Sequence, residues 1–303
     1  MEFRLHSLPY LAIKEILTFM NLQEQFLFSI TSKASKRLVR SINQDTRLTV
    51  VVLYGIQTLS NQREKVFVES RENGPTIEIV ECATRDIVFW RKPLTSIMEH
   101  IVEAFQSKVH LSLSSEFSHQ EKLKFLEELR VKIHSVYVTT NQLQETLDAL
   151  RNIPKVELNY KIAPNDFFEN NGPYNFDSIE LVFFANNVPS PTTRRSILFS
   201  LLDCRRVYIP YSDYSTRDLV EFLGKWIRGS KMENLKISFK KHNFKESIFE
   251  ELGQVIPVTS AVVDGKKISH PCFLIKQHGT GTKAIVYTHY GNVILRTDFK
   301  MIL

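Results

Sequence analysis

The feature that most constrains the fold is a regular alternation of strand-like and helix-like segments from about residue 107 onward. Lys108-Val-His-Leu-Ser-Leu113 alternates like a strand and leads into Gln120 to Leu129, whose apolar residues fall at helical spacing. The pattern repeats with strand His134 to Val138, helix Gln142 to Leu150 and strand Lys155 to Tyr160. After a polar loop come strand Ser178 to Phe184, helix Thr193 to Leu202 and strand Arg206 to Ile209, then helix Thr216 to Arg228 and strand Asn234 to Phe239. One strand and one helix cannot bury both the helix stripe and a sheet face, whereas stacked units share a continuous core. Parallel neighbours need crossovers of about a dozen residues, which these helices supply.

The strands recur at intervals of about 22–30 residues, a spacing that overlaps leucine-rich repeats. The segments do not follow a strict leucine-rich consensus, so the predicted array is leucine-rich-repeat-like. An ordinary doubly wound α/β domain is the competing arrangement. A Gly-rich phosphate loop at the first strand–helix turn would favour it, and none is present. Antiparallel strands flank the array. Upstream, Leu48 to Tyr54, Lys65 to Glu69, Thr76 to Glu81 and Asp86 to Trp90 predict a small antiparallel sheet, followed by a helix over Leu94 to Phe105. Downstream, Phe273-Leu-Ile-Lys, Ala284 to Tyr287 and Val293 to Arg296 predict a meander capping the open end of the stack.

The first forty residues behave differently. Leu8-Pro9 precedes Ile13, Ile16, Leu17 and Met20 at helical spacing, and Pro9 suits a first turn, with His6 or Ser7 near the cap. A second helical stretch carries Phe26, Phe28 and Ile30. Thr31-Ser32 offers a new N-cap for a third over Lys33 to Ile42. Three short helices cannot enclose a self-sufficient core, so their surplus apolar surface calls for a second partner. The bland alternative is a helical cap on the rest of the chain. For Lys33, Lys36, Arg37 and Arg40 a solvated helix face outweighs a nuclear-import or nucleic-acid patch.

The order Leu8-Pro9, Ile16-Leu17 and Ser32-Lys33 resembles, without gaps, the F-box, the helical module that docks on an adaptor of cullin-type ubiquitin ligases. Leu22 stands where that pattern often has proline, and Ser35 where it often has tryptophan; Ser32-Lys33-x-Ser35-Lys36-Arg37 looks like a nematode-type subfamily. The resemblance implies that Leu8, Pro9, Ile13, Ile16, Leu17, Ser32 and Lys33 face the adaptor. A second stretch, Leu219, Phe222-Leu223 and Trp226-Ile227 followed by Leu235-Lys-Ile237, resembles the F-box-associated region, type 2, which in that family is taken to recruit the substrate. All five helical residues fall on one face, so burial is the expected role for most of them.

Chemistry is sparse. The three cysteines, Cys82, Cys204 and Cys272, form neither a disulfide framework nor a metal-ligand spacing, and indicate a reducing compartment. His110 and His134 are expected to project from strands rather than bind metal. Arg205 and Arg206 would lower the Cys204 thiol pKa if they sat beside the sulfur, but simple burial is the better reading. His278-Gly-Thr-Gly-Thr-Lys283 has no following helix to aim N–H groups at a phosphate and reads as a hairpin turn. The acidic pairs Glu127-Glu128 and Glu250-Glu251 are read as solvent-facing. A net charge of +6, from 39 basic and 33 acidic residues, is too weak to signal nucleic acid, and no apolar run approaches the length of a bilayer span.

The whole therefore predicts an α/β protein: an F-box-like module over residues 1–45, a small antiparallel sheet with linking helix over 46–106, and a leucine-rich-repeat-like substrate-binding region with C-terminal meander over 107–303. The expected role is a non-catalytic substrate receptor of a cullin-type (SCF) ligase, bound to a Skp-type adaptor and a target protein. Neither cofactor, metal, nucleic acid nor membrane is expected, and the location is intracellular, cytoplasmic or nuclear. A stand-alone repeat-type binding module is the alternative.

Overall fold

The computed structural model describes residues 8–42, 49–54, 65–71, 74–81, 84–89, 94–106, 108–113, 118–161, 168, 172–183, 189–239, 252 and 255–301. His6, Ser7, Leu48, Cys82, Trp90, Phe184, Glu250 and Glu251, named above, lie outside them. The chain divides into two compact units, Met1–Val138 and Thr139–Leu303.

The N-terminal unit begins with three helices, α1 (Tyr10–Phe19), α2 (Leu22–Ser29) and α3 (Lys33–Ile42). Pro9 is the N-cap of α1, and its carbonyl accepts the first helical bond, from the Ile13 N–H at 3.1 Å. Asn21 ends one helix and starts the next. Its side chain accepts from the Glu24 N–H at 2.8 Å, while the Glu24 carboxylate accepts from the Asn21 N–H at 2.9 Å, a reciprocal capping box. Ser32 caps α3 by accepting from the Ser35 N–H at 3.0 Å.

The helices are followed by β1 (Thr49–Tyr54), β2 (Lys65–Arg71), β3 (Gly74–Glu81), β4 (Thr84–Phe89), α4 (Leu94–Phe105), β5 (Lys108–Leu113), α5 (His119–Glu128) and β6 (Ile133–Thr140), whose last residues cross into the second unit. Only β2, β3 and β4 pair antiparallel; β1 runs parallel to both β2 and β5. The expected wholly antiparallel small sheet is thus corrected. Val50-Val51-Val52 is a continuous β-branched run and not the apolar–polar alternation typical of a one-sided antiparallel strand.

In the C-terminal unit, α6 (Leu143–Ala149), β7 (Lys155–Tyr160), β8 (Ser178–Phe183), α7 (Pro191–Ser200), β9 (Arg206–Tyr214), α8 (Thr216–Arg228) and β10 (Asn234–Phe239) continue the alternation. The four strands lie side by side in chain order and run parallel. Val156, Leu158, Ile179, Leu181, Val207, Ile209, Leu235 and Ile237 all point to one face and are buried. The apolar stripes of α6, α7 and α8 are buried as well, so strands and helices cover each other on that single face. The residues between them, among them Lys155, Glu157, Glu180, Arg206, Tyr208 and Lys236, occupy the opposite face and stay at least partly exposed. A doubly wound sheet would bury both faces and read as continuously apolar.

The last strands are β11 (Ile256–Val263), β12 (Lys266–Lys276), β13 (Lys283–His289), β14 (Asn292–Arg296) and β15 (Lys300–Met301). They form an antiparallel run in which β14 hydrogen-bonds to β10 and extends the sheet beyond it. His278 to Thr282 link β12 to the antiparallel β13, so this stretch is a hairpin connection and no phosphate cradle. Here the face that is polar on β7–β10 carries a second apolar cluster, including Cys272, Leu274, Ile285, Tyr287 and Ile294.

Candidate docking surface

Helical geometry sorts the residues of α1. Ile13 and Leu17, one turn apart, are 4% and 0% exposed and form the module's own core with Phe26 of α2 and Val39 of α3. These two residues, expected to face an adaptor, lie inside the module, where they hold the helices together. The greasy surface is the opposite stripe, where Leu11 is 73% and Phe19 87% exposed, with the half-buried Leu8 and Ile16 beside them. Leu27 of α2 and Tyr10 are also exposed large apolar side chains. Burying a side chain of this size is worth about 1.5–3 kcal/mol. Two of them on the same side of α1, about two turns apart, leave a substantial driving force unused within the module.

The other expected residues divide as follows. Pro9, Ser32 and Lys33 are exposed, whereas Leu8 and Ile16 are partly covered. Ser32 acts as the α3 cap, and its hydroxyl also meets the buried Ser35 hydroxyl at 2.9 Å. Ser35 lies 2.8 Å from the Thr31 hydroxyl as well, so a small satisfied hydroxyl fills the position where the F-box pattern often has tryptophan. Sequence reasoning missed Phe19 and Leu11, because a helix this apolar shows two competing stripes. Asn21-x-x-Glu24 between α1 and α2 is itself the sequence signature of a capping box.

The module is fixed from below by α4, whose Ile97, Met98, Ile101, Ala104 and Phe105 are all buried. Lys36 of α3 pairs with Glu103 at 2.5 Å. The His100 ring packs edge-on against Phe26, its centroid 6.0 Å away, and its Nε2 lies 2.8 Å from the Ser29 hydroxyl. Burial, reinforced by the Lys36 ammonium and only partly opposed by Glu103, lowers the His100 pKa from 6.5 to about 4. The folded unit therefore holds His100 neutral, while the unfolded chain takes up a proton near pH 6.5. Stability present above pH 6.5 is lost as pH falls towards 4. Urea midpoints at neutral pH and at about pH 5 should differ more for the wild type than for His100→Gln. Equal slopes in the two proteins would contradict this assignment.

In the C-terminal unit the second recognised stretch is structural. Leu219, Phe222, Leu223, Trp226 and Ile227 are all buried on the inner face of α8. Cys204 is fully buried and its thiol donates to the Tyr174 carbonyl at 3.4 Å; burial pushes its pKa up to about 12, the reverse of an activated thiol. The neighbouring Arg205 is engaged by Glu233 at 2.7 Å. His110 and His134 meet ring to ring at 5.2 Å, and His110 Nδ1 bonds to the Ser135 hydroxyl. Among the described residues no group of three or more His, Cys, Asp or Glu side chains is placed to hold a metal, and no helix is long and apolar enough to cross a membrane.

No curated protein matches the chain. Residues 5–46, which span α1, α2 and α3, match the family model of the F-box domain, and the chain is thus one that carries an F-box.

Proposed function

We propose that the protein is a substrate receptor of a cullin-type (SCF) ubiquitin ligase, docking a Skp-type adaptor through the outer stripe of its F-box and recruiting a target protein through its C-terminal unit. The observation that carries this reading is the exposed Leu11–Phe19 stripe on the first helix of a segment matching the F-box domain. The one-sided array of β7–β10 supports the finer reading as a leucine-rich-repeat-like body with a free face, and the buried α8 stripe fits the type 2 associated region of nematode-type F-box proteins. Its contribution to the reaction is positional. Holding a target lysine near a ubiquitin-charged enzyme raises the effective concentration of the reactants, and the chain itself makes no bond.

Co-purification with a Skp-type adaptor tests the assignment. Wild type should retain the adaptor, and Leu11→Glu with Phe19→Glu should release it. Both side chains are exposed, so the double variant should keep its thermal transition. Retention of the adaptor by the folded double variant would overturn the docking assignment.

A further inference from the structure

The free face of the C-terminal unit is not uniformly polar. In one cross-strand row lie Glu157, Glu180, Tyr208, Lys236, Ile294 and Tyr287, from β7 across to β13. Where this row approaches the β11–β12 hairpin the surface sinks into a groove of about 580 Å³. That volume is within the range of about 300–1,000 Å³ typical of ligand sites.

The groove is lined by five basic side chains, Arg206, Lys236, Lys266, Lys267 and Arg296, against two acidic ones, Glu180 and Asp264. Their states differ. Arg296 grips Asp264 through two hydrogen bonds of 2.9 and 2.8 Å and Asp298 through two more of 2.7 and 2.6 Å, so its charge fixes the hairpin tip to β14. The Lys236 ammonium lies over the Tyr208 ring, 4.4 Å from its centroid. Arg206 donates to the Asp177 carbonyl, at 3.3 Å. Among the described residues, none of Arg206, Lys266 and Lys267 has a carboxylate within ion-pair distance. Arg206 and Lys266 thus face the concavity without an ion-pair partner, and Lys267 stands at its rim.

Two tight turns frame that concavity. Asp264-Gly265, with φ of 49° and 74°, presents Lys266 and Lys267 at one rim. Tyr290-Gly291, with φ of 47° and 74°, presents at the other a tyrosine that is 90% exposed. An exposed aromatic beside a charged cleft is the composition of a protein-binding anchor.

We propose that this groove binds an extended acidic segment of a target protein, whose carboxylates meet Arg206 and Lys266, with Lys267 adding positive charge at the rim, while an apolar residue rests on Tyr290. This deepens, and depends on, the reading of the C-terminal unit as the target-binding part. The distribution of charge selects a peptide over a nucleic acid. Glu180 and Asp264 are interspersed with the cations and would repel a continuous phosphate backbone. An extended peptide presents side chains to one face only at every second residue, about 6.5–7 Å apart, and can seat carboxylates at the cations while placing neutral groups at Glu180 and Asp264.

The test is fluorescence polarisation with the full chain and a fluorescein-labelled peptide alternating glutamate with valine. Saturable binding that weakens with salt is expected, with at least about a tenfold loss in Lys266→Glu/Lys267→Glu and a smaller loss in Tyr290→Ala. The same peptide with lysine in place of glutamate should not bind. Absence of saturable binding, undiminished affinity in the charge-reversed variant, or tighter binding of an oligothymidylate of equal charge would each overturn the proposal. The adaptor co-purification is read on the same variants: failure of the ligase reading shows there, while failure of the groove shows only in the peptide assay.

Discussion

Replacing Trp226 with alanine should lower the stability of the C-terminal unit by about 3–5 kcal/mol, among the largest single-residue effects in the chain. Trp226 heads the largest fully buried side chains and sits in the last turn of α8, beside Phe222, Leu223 and Ile227. Its truncation removes apolar contact on the face where the helices cover β7–β10. A second loss adds to the first. The indole Nε1 donates to the Met232 carbonyl at 2.9 Å, in the segment that carries the chain from α8 to β10. Leaving that buried acceptor unmet costs about a further 1–3 kcal/mol in its own right, part of which is already contained in measured tryptophan truncations. Denaturant midpoints of Trp226→Ala and Trp226→Phe separate the two contributions. The phenylalanine variant keeps much of the volume but not the donor, and should fall between wild type and alanine. A loss below about 1 kcal/mol for alanine would mean that α8 does not close the core as described.

The α8 stripe was legible before any coordinates because its five apolar residues share a single helical face, and burial has only one way to satisfy them. The strands over 155–160 and 178–183 were legible for the same kind of reason: alternation with period two fixes which residues turn inward. Other features were hidden by their chemistry. The stretch after β7 reads as a polar loop, yet Phe168, Tyr174 and Phe176 are buried anchors within it. Tyr174 Oη is satisfied by donating to Asp148 at 3.0 Å, which is why a polar-looking segment can lie against a core. The β11 strand and its hairpin were overlooked although Val262-Val263-Asp264-Gly265 is a strong hairpin signal, and with them went Lys266 and Lys267 at the groove.

The two faces of the C-terminal sheet also explain why function was harder to read than fold. Inward residues are dictated by water and repeat from strand to strand. Outward residues are constrained only by their neighbours across the row, so Glu180, Tyr208 and Lys236 carry no periodic signature. Burial, with Glu157 beside it, raises the Glu180 carboxyl pKa. Only the register, which sets these side chains next to one another, shows that they form a surface at all.

At the N-terminal module, a pair of substitutions two residues apart should separate folding from docking. Leu17→Ala removes a side chain with no exposed surface from the junction of α1, α2 and α3, and should cost about 2–5 kcal/mol of stability in the N-terminal unit. The main-chain carbonyls of residues 17 and 20 keep the Gln25 side-chain bonds, at 3.2 and 3.0 Å, that tie the end of α1 to α2, so the loss is that of the cavity alone. Phe19→Ala removes a side chain almost wholly in water and should leave the unfolding midpoint within about 0.5 kcal/mol of wild type. Its effect should appear instead in adaptor affinity, as a loss of at least about tenfold, the behaviour of an aromatic anchor. Urea denaturation and adaptor titration on both variants measure the two quantities separately. A Phe19→Ala protein that binds the adaptor normally, beside a Leu17→Ala protein that stays folded yet fails to bind, would place the docking surface on the inner stripe and reverse the assignment made from burial.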